Sequence, residues 1–339
     1  MYIRSVASYL PPRTSTQQAV DDGLYDAKDL GFMQLTGALF AGDTSPAEMA
    51  TAAARTALER GGVTSQELDY LIHSNVYQPG PHAWSLPGYI LRELGGGKAS
   101  VLELRTGCSG MLSSVELAVA QLTGAQRYSN VLLTAAENFD PWMERWKSDV
   151  YITGDAASAL LLSSTSGFAR VVSAASGSSP ELEKMNRGSE PLHPPGETAV
   201  VDLRVRHAVV TDTMGDREAA NIMAAQYVEL AERAAADGGI KLADVDKLVY
   251  HNMAGFIVGF FAEQMGLSLE HSTWEFGRTL GHLGCSDQAV GLEHLLLTGE
   301  LSPGDRVMLL AASAGFATSC ILLEILDVPD WPAPAPIAG

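Results

Sequence analysis

Apolar positions recur along this chain in two alternating rhythms. Residues 5–10, Ser-Val-Ala-Ser-Tyr-Leu, read as a strand that Pro11-Pro12 closes. Residues 13–43 show no sustained period and are expected to be irregular or weakly helical, broken at Asp21-Asp22-Gly23. Ser45-Pro46-Ala47-Glu48 is a capping box with proline at the first helical position, and the helical period then runs over 47–60 and stops at Gly61-Gly62. A short capped turn follows (Ser65, Glu67), then a buried strand over 68–72, a Pro/Gly loop over 77–88 and a helix over 88–94 that ends at Gly95-Gly96-Gly97. Residues 101–104 and 131–136 are further apolar strands, with an amphipathic helix over 112–122 between them.

The rhythm repeats. Ala57 to Asn75 aligns with Ala234 to Asn252, so that Gly61-Gly62, Asp69, Leu71 and Asn75 fall on Gly238-Gly239, Asp246, Leu248 and Asn252, a shift of 177 residues. The same shift carries Gly107-Cys108-Ser109 onto Gly284-Cys285-Ser286 and Glu116 onto Glu293, and a shift of 176 carries residues 131–136 onto 307–312. Three matches in order at nearly constant spacing point to an old duplication. The expected halves are 1–168, with the Cys108 turn, and 169–339, with a His/Asp turn. Strands alternating with helices imply a layered α/β fold with mostly parallel strands. A pseudo-twofold arrangement brings the two Gly-Cys-Ser turns to one crevice, where strand C-termini and helix N-termini converge.

Composition narrows the function classes. The 339 residues are 46% hydrophobic and 18% charged, with a net charge of −18. Such a surface argues against nucleic acid and anionic membrane as partners. No apolar run is long enough for a spanning helix, and Met1-Tyr2-Ile3-Arg4 leads directly into a strand rather than a signal peptide, which makes a cytoplasmic location the expectation. Three widely spaced cysteines (Cys108, Cys285, Cys320) fit neither a disulfide framework nor a cysteine zinc site, and no metal is expected.

Cys108 sits between glycines where a strand-end turn opens into a helix. Unpaired N–H groups and the helix dipole favour a thiolate there, although the same pattern also suits a small buried hydrophobe. The asymmetry of the second copy decides for chemistry. It reads Gly281-His282-Leu283-Gly284-Cys285-Ser286-Asp287, a histidine before the turn and a carboxylate at the helix start. Placed opposite Cys108, these supply thiol, imidazole and carboxylate, the set needed for nucleophilic acyl transfer. Asp287 is also a natural N-cap and His282 a plausible loop residue. His251 follows a strand end and is expected in the same crevice, whereas His73, His82, His193, His207, His271 and His294 lack partners in any chemical pattern and are read as structural or exposed.

End to end, the chain resembles the thiolase-fold β-ketoacyl-acyl carrier protein synthase III-like enzymes. The markers are Ser8-Tyr9-Leu10-Pro11, the Cys108 elbow, Thr153-Gly154-Asp155-Ala156-Ala157-Ser158-Ala159, His251-Asn252 and Ala312-Ser313-Ala314-Gly315-Phe316. The resemblance implies a five-layered αβαβα fold, a homodimer and an acyl-Cys108 intermediate. It implies an oxyanion hole from the backbone N–H groups of Cys108 and Ala314, and Trp84 as a loop aromatic set against the partner's acyl pocket or simply packed in its own loop. It further implies a coenzyme A or carrier-protein thioester as substrate, with no cofactor.

Three positions depart from the condensing members: His282 stands where they carry asparagine, Phe256 where they carry a carrier-docking arginine, and residues 31–37 hold no counterpart of the coenzyme A clamp. Gly281-His282 with Asp287 is similar to a divergent subgroup from antibiotic and polyketide biosynthesis that moves an acyl group to a hydroxyl or a carrier protein without forming a carbon–carbon bond. The expected activity is therefore non-condensing acyl transfer, with Cys108 as nucleophile, His282 as general base, Asp287 orienting it and His251 assisting or binding. A decarboxylating ketosynthase, a non-catalytic partner subunit and a thioester hydrolase are the alternatives.

Overall fold

The computed structural model describes residues 1–124, 128–140, 142–193, 200–313 and 316–332. Its strands are β1 (Tyr2–Tyr9), β2 (Arg13–Ser15), β3 (Gly37–Leu39), β4 (Tyr70–Ser74), β5 (Ser100–Leu104), β6 (Asn130–Glu137), β7 (Ala156–Ser163), β8 (Ala169–Ser178), β9 (Lys247–Val249), β10 (Arg306–Ala312) and β11 (Ala317–Ile325). Nine of them form one sheet in the order β5-β4-β6-β7-β1-β8-β11-β10-β9. The joint lies between β1 and β8, where Tyr2 pairs with Arg170 and Ile3 with Ala169. Outward from that joint the two sides follow one plan. An antiparallel pair (β1 with β7, β8 with β11) leads to a second antiparallel partner (β6, β10) and then to a parallel one (β4, β9). Leu71 pairs with Leu132 on one side and Leu248 with Met308 on the other, the same register displaced by 177 and 176 residues.

The strands bury both faces, which is why they read as unbroken apolar runs. Ile72, Leu133 and Leu160 on one side, and Val249, Leu309 and Ile321 on the other, meet the helices Gly110–Thr123 and Asp287–Leu297 in a central core with Met111, Val115, Leu292 and Leu295. The alternate residues face outward. Leu71, Leu132 and Leu161 pack against the helix Pro46–Gly61, while Leu310 and Leu322 pack against the helix Asp216–Asp237. Helix, sheet, helix pair, sheet and helix make the five layers of the thiolase-like α/β fold that the family resemblance implies.

Among the described residues the sheet is not mostly parallel as expected: five of its eight strand pairings are antiparallel, and only β4 with β5, β4 with β6 and β9 with β10 are parallel. Three local expectations also shift. Residues 13–43 are more ordered than their weak periodicity suggests. β2 pairs with β3, Ser15 caps the helix Thr16–Asp21, Asp26 caps the helix Ala27–Met33, and Ala19, Tyr25, Met33, Leu35 and Ala38 pack with Trp146, Ile152 and Ala254, a cluster gathered from irregularly spaced positions. The helix expected from 88 begins earlier, Leu86–Glu93, because Ser85 caps it with Pro87 in its first turn. By the shift of 177, residues 277–281 are the counterpart of β5, yet they form no strand there. Their carbonyls instead accept from the β3 segment, Arg278 O from Thr36 N and Leu280 O from Leu39 N. This ties the His282 turn to the N-terminal hairpin.

Candidate active site

The nucleophile turn is a 3-10 turn, Gly107–Ser109, leading into the helix Gly110–Thr123, so Cys108 stands just before the first α-helical residue. The second copy, Gly284–Ser286, leads in the same way into Asp287–Leu297. The two turns face each other. His282 Nε2 lies 3.0 Å from Cys108 Sγ, and His282 Nδ1 donates to Asp287 Oδ2 at 2.5 Å. Sulfur, imidazole and carboxylate, each from the place the duplication assigns, are in direct contact.

Asp287 also collects the second histidine. His251 Nδ1 donates to the same Oδ2 at 3.0 Å, Asn252 N at 3.3 Å, and Leu283 N donates to Oδ1 at 2.8 Å. The two rings stand nearly perpendicular with centroids 4.9 Å apart. The far side of His251 is occupied too, since its Nε2 lies 2.9 Å from both the N and the O of Ala312.

Charge follows from this wiring. Burial disfavours a charge on His282, but the Asp287 carboxylate and the Cys108 sulfur outweigh it and hold the ring well above the usual histidine range. Burial would raise Asp287, yet the His282 charge and the hydrogen bonds from both rings hold it far below the usual carboxylate range. For His251 burial dominates and its affinity for a proton falls, so it is the neutral ring of the pair, with Nδ1–H on Asp287 and Nε2 accepting from Ala312 N–H. His251, His282 and Asp287 could in principle hold a metal ion. Zinc ligands at about 2.0–2.2 Å from the ion would have to open the 2.5 Å contact between His282 and Asp287.

The backbone under His282 is fixed by the Thr153-Gly154-Asp155 segment. His282 N donates to Ile152 O, and Gly154 N donates to His282 O. A Cβ on Gly154 would lie 2.1 Å from Leu280 O, and Gly281 has φ +78 with its Cβ position 2.9 Å from Ile152 O, so both contacts require glycine. Asp155 anchors the segment. It is fully buried, forms two hydrogen bonds with Arg145 at 2.9 and 3.0 Å, and accepts from Ala41 N and Phe139 N.

A second strut joins the two turns directly. Buried Cys285 Sγ donates to Gly107 O at 3.0 Å. Gly107 O also accepts from Gly110 N, so Cys285→Ala removes one of two bonds to that carbonyl and should cost about 1 kcal/mol, whereas Cys285→Ser retains a donor and recovers most of the loss. Equal destabilisation of both variants in thermal melts would discard the strut.

The sulfur opens into a cavity of about 590 Å³ lined by Cys108, His251, His282 and Tyr151 at one end. Tyr151 packs on the His282 ring at 4.8 Å between centroids, and burial, reinforced by the Cys108 and Asp287 charges, pushes its hydroxyl up. Among the residues that sequence reasoning singled out, Cys108, His282, Asp287 and His251 come together. Trp84 lies outside the cavity wall of its own chain, packed edge-on against Tyr89. Ala314 lies outside the described residues.

Sequence reasoning missed Tyr151, Arg145 and His207. Tyr151 and Arg145 sit in an irregular stretch that carries no periodic signal. His207, read as structural or exposed, instead lines the cavity. Its helix, Leu203–Met214, buries only Leu203 and Val210, too few apolar positions for sequence to show which face points inward.

Comparison with known proteins places the chain in a family. The family models for 3-oxoacyl-[acyl-carrier-protein] synthase III match residues 102–180 and, for its C-terminal part, 235–325. The acyltransferase ChlB3 superposes with a TM-score of 0.92 at 36% identity, covering 98% of this chain and 99% of that one. The β-ketoacyl-[acyl-carrier-protein] synthase III 3 of Streptomyces coelicolor is 27% identical over 300 residues, 87% of this chain and 85% of that protein. The priming β-ketosynthase of the R1128 polyketide pathway, at 19% identity and a TM-score of 0.80 over 97% of each chain, shares the fold. No helix among the described residues is long and apolar enough to cross a membrane.

Proposed function

Because the chain belongs to the 3-oxoacyl-[acyl-carrier-protein] synthase III-like family of thiolase-fold acyl-transferring enzymes, we propose that it moves an acyl group through Cys108 to an oxygen nucleophile without decarboxylative condensation. One observation carries this reading: neither ring offers a free N–H to a second thioester. Decarboxylation of a malonyl donor needs neutral donors on the developing thioester enolate. Here His251 spends both nitrogens, on Asp287 and on the Ala312 backbone. His282, once it has given its Nε2 proton to the departing thiol, keeps its remaining proton on Nδ1 toward Asp287 and presents a bare Nε2 that accepts rather than donates.

In the first half-reaction the Cys108 sulfur attacks the carbonyl of a coenzyme A or carrier-protein thioester. The Cys108 N–H faces the oxyanion, His282 gives its Nε2 proton to the departing thiol, and acyl-Cys108 forms. In the second, neutral His282 takes the proton of the acceptor hydroxyl as its oxygen attacks the acyl carbon. The thiolate leaves and the imidazolium–thiolate pair is restored, with no electron transfer in either half. Asp287 holds the Nδ1 proton throughout, and His251 positions Asp287. A homodimer in which Trp84 reaches the cavity of the second copy completes the proposal.

The alternative, a decarboxylating synthase, draws on the names of the curated relatives, β-ketoacyl-[acyl-carrier-protein] synthases III from several bacteria. A two-stage assay separates the readings. The protein is loaded with an acyl thioester and the mass gain on Cys108 is confirmed. The acyl-enzyme is then offered either malonyl carrier protein or a hydroxyl acceptor. Discharge to the alcohol with no carbon dioxide is expected, and carbon dioxide release coupled to loss of the acyl group overturns the proposal.

A further inference from the structure

The cavity has one polar wall that the acyl-transfer residues do not use. On the helix Leu203–Met214, Arg204, His207, Ala208 and Thr211 follow at i, i+3, i+4 and i+7, and all four line the cavity. Apart from the exposed Asp216 at the start of one helix, the walls that flank this stripe are apolar or aromatic. The helix Asp216–Asp237 contributes Ala219, Met223 and Tyr227, and the helix Gly255–Gln264 contributes Phe260. An acyl chain needs no such stripe, because it offers only its carbonyl, and the carbonyl sits at Cys108; the polar arm of the donor thioester is the competing occupant, and it would make acylation depend on the stripe.

The hydrogen-bonding capacity of the stripe is uncommitted. Neither ring nitrogen of His207 has a hydrogen-bond partner among the described residues, and burial keeps the ring neutral, so it offers one donor and one acceptor. The Thr211 hydroxyl makes one long bond back to His207 O at 3.4 Å, leaving its lone pairs to the cavity. Asn186 lines the same wall, with its backbone oxygen taken by Arg206 and its amide unpaired among the described residues. Arg204 does not await an anion, because Asp149 at 2.9 Å and Asp29 at 3.2 Å already neutralise it. The stripe therefore presents neutral groups and one neutralised cation opposite apolar surface, with the exposed carboxylate of Asp216 elsewhere on the lining.

We propose that His207, Thr211 and Asn186 form the acceptor-recognition site and read the hydroxyls of a neutral polyhydroxylated small molecule whose other face packs on the apolar wall. This rests on the non-condensing reading above and assigns its second substrate: a free small molecule held in the cavity rather than a carrier-protein arm.

The test splits the half-reactions. Acetyl-coenzyme A serves as the loading probe, and glycerol, methyl glucoside and methyl rhamnoside serve as acceptor probes. Wild-type acyl-enzyme should discharge to at least one of the three. His207→Ala, Thr211→Val and Asn186→Ala should each raise the acceptor KM about tenfold, the scale of one lost hydrogen bond, while acylation of Cys108 changes less than twofold. His207→Gln, which keeps a neutral donor and acceptor, should recover part of the loss. Parallel loss of acylation and discharge, or no loss in any variant, overturns the assignment while the acyl-transfer reading stands. Discharge to none of the probes overturns the acceptor class. Carbon dioxide release from a malonyl thioester removes the acyl-transfer reading itself.

Discussion

Asp287→Asn lowers the rate of acyl transfer by about 10³–10⁴-fold with little change in secondary structure. The four groups around this carboxylate are all donors: His282 Nδ1, His251 Nδ1, Asn252 N and Leu283 N. An asparagine supplies one acceptor oxygen and one NH2, so one donor must meet another. If the amide nitrogen turns toward the rings, His282 is forced to place its proton on Nε2, facing Cys108, where it can no longer accept one. Loss of the negative charge acts in the same direction. Burial is then opposed only by the sulfur, and the imidazolium that Asp287 sustains is disfavoured.

The two halves of the effect are separable. Alkylation of Cys108 by iodoacetamide at one fixed pH should be slower in the variant, because the sulfur loses its cationic partner. Steady-state assays should show the loss in kcat rather than in KM. An unchanged alkylation rate together with near-normal turnover would remove Asp287 from the mechanism and leave it as a helix cap.

The sequence makes the cysteine, the histidine and the carboxylate legible for one reason. The duplication supplies a ruler, and departures from it stand out. Cys108 and Cys285 fall on equivalent positions, yet only the second turn carries a histidine before it and an aspartate after it. The observed register, Leu71 with Leu132 and Leu248 with Met308, keeps the same displacement, so the ruler holds in space as well as along the chain.

The remaining site residues come from places where local pattern says little. Arg145 finds Asp155 across an irregular segment, and Tyr151 meets His282 because the Ile152 backbone is tied to the His282 turn. His207 faces inward because of how a weakly anchored helix docks, a tertiary fact with no periodic trace. The N-terminal hairpin escaped for a related reason. Its helices are one to two turns long and bury only Thr16, Ala19 and Met33, and its strands are three residues long, below what periodicity can reveal.

His282→Asn tests the assignment from the opposite side, because it restores the residue type that condensing relatives carry at this position. Acyl transfer to a hydroxyl should fall about 10⁴-fold, since an amide cannot take the acceptor's proton. Condensation should nevertheless not appear. The second donor needed for it is His251, and nothing in the substitution frees that ring: Nδ1 stays on Asp287 and Nε2 stays against the Ala312 backbone. Asp287, deprived of one ring, retains His251, Asn252 N and Leu283 N, so the pocket keeps its shape. The variant should therefore become a trap. Cys108, without a base, acylates slowly, and the acyl-enzyme once formed outlives that of the wild type, which intact mass spectrometry would register as a persistent adduct. Release of carbon dioxide from malonyl carrier protein by this variant would mean that one asparagine suffices for condensation, and the argument that His251 is fully spent on its neighbours would then be wrong.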